Sequence, residues 1–134
     1  MHNLFVSPKD VFDVFIWIGN YSNGEIVGFY KEEDLKQEEK NLTNVTQYTI
    51  QFRYPNFEDS VIINDRSISL SSSGDISANP SRARWEQVIR LIQSWDITDK
   101  DNQNISPTRE NLSKLNPVIG ETITTALDDY LEDN

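Results

Sequence analysis

The chain has no cysteine, a single methionine and a single histidine, His2, among its 134 residues. Without cysteine there is no disulfide, thiolate-held zinc or cysteine nucleophile to consider. With one histidine, placed next to the first residue, a Ser-His-acid relay or a histidine-ligated metal lacks the residue it needs. The five glycines are scattered singly, so no glycine-rich phosphate loop is present. Basic residues are scarce as well: 12 Lys and Arg stand against 22 Asp and Glu, for a net charge of −10. That balance argues against a nucleic-acid surface, which needs a basic patch to neutralise phosphates. It favours solubility and a basic protein partner. No apolar run approaches a membrane span. The start, MHNLFVSPKD, lacks the basic and apolar regions of a secretory leader. The Asn-x-Ser/Thr triplets at Asn20, Asn41, Asn44, Asn104 and Asn111 then read as by-products of composition, and a cytosolic origin is expected.

What is present, 37% apolar and 25% charged residues, suits one domain or two small coupled halves. The first half, 1–55, reads as β. Val11 to Ile18, VFDVFIWI, is dense in β-branched and aromatic residues, with Asp13 alone breaking the run. Asn23-Gly24 predicts a two-residue hairpin turn, followed by a return strand from Ile26 to Tyr30. Lys31 to Asn41, KEEDLKQEEKN, reads as a solvated connector or short exposed helix whose lone Leu35 anchors no core face. In Thr46 to Tyr54 the apolar Tyr48, Ile50, Phe52 and Tyr54 alternate with Gln47, Thr49, Gln51 and Arg53, predicting a strand with one wet face. The edge of such a sheet can pair with another chain.

The second half, 56–134, reads as helical. NFEDSVIINDRSISLSSS is read as helix, although Ile68 and Leu70 also alternate like a strand, and SSSGDISANPS as loop. Asn79-Pro80 supplies a helix cap and a first-turn proline. Trp85, Val88, Ile89, Ile92 and Trp95 then share one face, with Arg84, Glu86, Arg90 and Gln93 elsewhere. Thr108 or Ser106-Pro107 opens a short turn carrying Leu112 and Leu115. Asn116-Pro117 opens a last helix with Ile119, Ile123, Ala126, Leu127, Tyr130 and Leu131 on one face. Its acidic end, DDYLEDN, is disfavoured by the helix dipole and is expected to fray unless held. The fold class expected is α+β, a small antiparallel sheet followed by a bundle of three or four short helices.

Two chemical readings fall short. DKDNQNISPTRE, from Asp99, places acids at the first, third and last positions of a twelve-residue window, as a calcium loop does. Pro107 at its ninth position and Ile105 one place early argue instead for a polar connector. Paired carboxylates could hydrolyse glycosides, but no acid here sits in a recognisable motif. No catalytic residue, cofactor or metal ligand is expected, and the protein is read as a non-enzyme.

From Phe52 onward, three segments occur in a distinctive order: FRYPNFEDS, then NPSRARWEQVIRLIQSWDITD, then ISPTRENLSKLNPVIGETI. An Arg-x-Pro strand end, a helix closing in Leu-Ile-x-x-Trp-Asp, and Thr-x-Glu-Asn-Leu followed by Leu-x-Pro make this part similar to bacteriophage tail assembly chaperones. The similarity does not reach the β-rich start. Asn102-Gln103 stands where such loops often carry Gly, and Leu115-Asn116-Pro117 where Leu-Pro-Pro is common; both departures lie in turns. The resemblance implies a non-enzymatic protein of tail morphogenesis, acting in the host bacterial cytoplasm. It implies binding to the tape-measure protein, or to tube or baseplate subunits, without nucleic acid or membrane. Homo-oligomerisation is compatible with it. An amphipathic tape-measure segment would need an apolar face with a charged rim. The expected contacts are Ile119, Ile123, Leu127 and Tyr130 of the last helix, together with the sheet edge. Two alternatives stay open: a structural subunit kept in the virion tail, and an acidic inhibitor of a host nucleic-acid enzyme.

Overall fold

The protein is α+β, with an antiparallel sheet in its first half and helices after it. A computed structural model describes residues 4–70 and 72–133, the side chains of Ser69 and Leu70 excepted; His2 lies outside the described residues. Strands β1 (Val11–Tyr21), β2 (Ile26–Phe29), β3 (Leu42–Arg53) and β6 (Ile92–Trp95) form one sheet in the order β2-β1-β3-β6, with every pairing antiparallel. A separate hairpin joins β4 (Ile68–Leu70) and β5 (Ile76–Ala78). The helices are α1 (Glu32–Glu38), α2 (Phe57–Arg66), α3 (Pro80–Leu91), α4 (Arg109–Ser113) and α5 (Pro117–Asp133).

Strand alternation turns Phe12, Val14 and Ile16 of β1 and Ile50 and Phe52 of β3 toward the helices, and all five are buried. α5 lies across β1 and β2, α3 against α5, and α2 against α3. Val88, Leu91, Leu112, Ile123, Ala126 and Leu127 close the same core from the other side. Gly28 of β2 lets α5 approach, since a Cβ there would run into the side chain of Thr122.

Helix starts at Asn79, Thr108 and Asn116 follow the local chemistry read from the sequence, and α2 adds a cap that was not read there. The Asn56 side chain accepts from the Asp59 amide while Asp59 accepts from the Asn56 amide, a reciprocal cap. The Asn79 side chain caps α3 through the Arg82 amide, that of Thr108 caps α4 through Asn111, and Asn116 receives the Val118 amide at the head of α5.

Four expectations need correction. The first hairpin does not turn on two residues. Gly24 donates to Tyr21 O and Tyr21 to Glu25 O, and of the Asn23-Gly24 pair only Gly24 has positive φ, at 88°. That is a longer turn closed by a glycine bulge. Lys31 to Asn41 contains α1, the short helix that was one of the two alternatives, but its Leu35 is buried, near β2 and outside the main core cluster. The segment read as helix through Ser73 is helical only to Arg66. Ile68–Leu70 then pairs with Ile76–Ala78, inside the stretch read as loop, and Ser71 lies outside the described residues. Finally, α3 ends at Leu91, and Ile92–Trp95 joins the sheet at β3. Ile92 and Trp95 still reach the core, opposite Phe52 and Ile50, because the register shifts by one residue at Gln93 and this bulge offsets the two-residue alternation of the strand. The open edge of β3 captured the segment, and local periodicity carries no information about that edge.

Candidate functional site

The face of α5 expected to meet a partner is turned inward. Ile123 is 1% and Leu127 0% exposed, and Ile119 and Tyr130 pack against the core. The Tyr130 ring stacks on Phe12 at 4.2 Å with a 2° interplanar angle, and its hydroxyl lies 3.0 Å from that of Tyr54. Burial and the Tyr54 hydroxyl together push the Tyr130 phenol pKa up, the hydroxyl contact being the larger cause. These four residues therefore close the protein's own core and leave no free apolar stripe there. The same packing holds the acidic end of α5 helical through Asp133.

The loop at Asp99 is a tight turn. Asp99 Oδ1 accepts from the amides of Asp101 at 2.8 Å and Gln103 at 3.0 Å, and Asn102 takes a φ of 60°. Thr98 and Asn104 bridge its base. The carboxylate that would lead a calcium loop is thus directed at its own backbone. Among the described residues no group of three or more His, Cys, Asp or Glu could hold a metal.

Two buried carboxylates organise the helical side. Asp59, 1% exposed, receives Arg53 through two nitrogens at 2.5 and 2.7 Å and Arg90 Nε at 2.8 Å. Glu86, 5% exposed, receives both terminal nitrogens of Arg109 at 3.1 and 2.8 Å, with Arg66 at 3.7 Å. The Arg53 guanidinium holds Asp59 far below the usual carboxylate range, and Arg109 lowers Glu86. Each carboxylate is fully engaged, so both clusters read as structural ties. Glu86 had been assigned to the polar side of its helix. Its burial depends on Arg109, distant in sequence, and nothing local signals that.

The remaining candidate is the sheet edge, which the sequence did anticipate. The Thr49 amide donates to Asp96 Oδ1 at 2.9 Å, and Thr49 O accepts from the Asp96 amide at 3.3 Å. The backbone groups of Thr49 therefore face away from β1. Its cross-strand partner Phe15 must do the same, because opposed residues of an antiparallel pair exchange both bonds or neither. Asp13, at the same parity, also points outward. Further along β1, Trp17 and Gly19 meet Phe29 and Val27 of β2. At Asp13 and Phe15 no strand among the described residues does so. On the opposite edge, β6 ends opposite Ile50, which leaves Val45 and Gln47 of β3 facing outward past it. Both β3 residues are exposed.

The two edges differ. Thr43 to Gln47 is exposed along its whole length. The β1 edge instead faces the last turns of α5 across a groove of about 370 Å³, lined by Asp13, Phe15, Tyr30, Lys31, Asp129 and Asp133 among others. The one local signal of this site was Asp13, an acid interrupting an otherwise apolar strand, a common device on exposed edges. No family model, curated protein or solved structure matches the chain.

Proposed function

We propose that this is a non-catalytic protein of bacteriophage tail assembly that binds the tape-measure protein or another tail subunit by strand addition to its sheet. The observation that carries the binding mode is the pair of open edges, where outward backbone groups await hydrogen-bond partners. The phage assignment is supported by the order of motifs from Phe52 onward. Those residues form the turns, caps and sheet-joining strand of the second half, so they fit a framework more than a reactive site.

The structural-subunit reading has one observation in its favour. The open edges lie on opposite sides of the sheet, so one chain could be flanked by neighbours on both sides. Quantitative mass spectrometry of purified particles separates the two. A chaperone is absent from them while co-purifying with a tail protein from infected cells. Stoichiometric presence in the particle would establish the subunit instead. Recovery of a host nuclease and no tail protein would replace both with the inhibitor reading.

A further inference from the structure

We propose that the β1 edge at Asp13–Phe15 is a docking groove for an extended, basic segment of a partner protein, which adds as a strand between β1 and the end of α5. The proposal rests on the protein-binding reading above and specifies which edge is used and what chemistry fits it.

Three observations converge on this groove. The first is the outward pair of backbone groups at Asp13 and Phe15, which lie beyond the short β2 and can bond an added strand. The second is the wall opposite. The last turns of α5 stand across the groove, so an entering strand is enclosed on one side, whereas Val45 and Gln47 on the β3 edge are exposed. The third is charge. Asp13, Asp129 and Asp133 line the groove against a single Lys31, and none of these acids takes part in an ion pair among the described residues. Asp129 and Asp133 also sit at the C-terminal end of α5, whose last turn has no basic residue. Negative charge at the negative end of a helix is unfavourable, and a cation beside it relieves the repulsion. Alternate side chains of an added strand point to one face. A segment carrying Lys or Arg at every second position would therefore set its cations toward the α5 carboxylates.

The test uses the full chain, isotopically labelled, with a short synthetic peptide alternating valine and lysine and its valine–glutamate counterpart. The lysine peptide should shift the Asp13 and Phe15 amide resonances in a saturable manner and slow their exchange with solvent. The glutamate peptide should not. Phe15→Pro removes an outward amide that takes no part in the β1–β3 ladder, so the ladder bonds are kept while strand addition is blocked. Gln47→Pro is the matching change on the other edge. Binding should be lost in F15P and kept in Q47P, and D129N/D133N should weaken it by about fivefold, as expected for two exposed charge pairs. Saturable shifts confined to Val45 and Gln47, equal binding of both peptides, or undiminished binding by F15P would each overturn the proposal. Tail proteins that co-purify equally with wild type and F15P would leave the assembly role standing and remove this groove from it. Peptide binding at Asp13 and Phe15 without any tail protein in pulldowns would do the reverse.

Discussion

Four donors converge on the carboxylate of Asp59: two nitrogens of Arg53, Nε of Arg90 and the amide of Asn56. Removing a buried charge of this kind strands its partners. Asp59→Asn should cost about 3 kcal/mol, the low end of the range for a broken buried pair, because Arg90 is partly exposed and can rehydrate. Urea denaturation at neutral pH measures it. The folded state keeps Asp59 and Glu86 ionised at pH values where the unfolded chain protonates them. Their contribution is therefore complete above about pH 5 and declines as the pH falls through about 4. D59N should flatten that decline, and an unchanged slope would show that Asp59 does not supply it. Gly28 makes a different demand. Its missing side chain leaves room for Thr122, which cannot swing aside freely because its hydroxyl donates to Val118 O at 2.7 Å. Gly28→Ala should destabilise by about 1–3 kcal/mol through forced displacement of α5. A stability equal to wild type would mean that the helix shifts at little cost.

Among the elements, α5 shows where reading a sequence succeeds and where it stops. The face carrying Ile119, Ile123, Leu127 and Tyr130 was legible from its spacing. Whether that stripe covers the protein's own sheet or a partner's was not, since periodicity reports amphipathicity and says nothing of what lies opposite. The same distinction explains β6. Spacing placed Ile92 and Trp95 toward the core, while the backbone that brings them there was decided by the open edge of β3, remote in sequence. Caps at Asn79, Thr108 and Asn116 were easier to place because cap chemistry is local. The candidate groove stayed hidden for the opposite reason: it exists only because β2 is shorter than β1 and α5 crosses nearby. The assignment of α5 is directly measurable. Leu127→Ala should lower stability by about 2–5 kcal/mol, the usual cost of emptying a packed leucine site. A variant that kept full stability and lost only partner binding would restore the outward-facing role.

At the scale of the molecule, 1–55 and 56–134 do not each enclose a core. Phe12, Ile16, Ile50 and Phe52 come from the first part, and the residues that cover them, Val88, Leu91, Ile123 and Leu127, come from the second. The fourth strand of the sheet is likewise contributed by the second part to the first. Separating the parts would open the inner sheet face to water and strip α3 and α5 of the surface they pack on. The two should therefore unfold together. The tryptophans give three reporters in different elements: Trp17 in β1, Trp85 in α3 and Trp95 in β6. Variants that keep one tryptophan each, with phenylalanine at the other two positions, should each show a fluorescence midpoint in urea that coincides with the loss of its own far-ultraviolet dichroism. An earlier midpoint for the Trp17 reporter than for its dichroism would mean that the sheet opens while the helices persist. In that case the β1 edge would be presented by a locally unfolding element, and a strand added there would stabilise the sheet more than the helices.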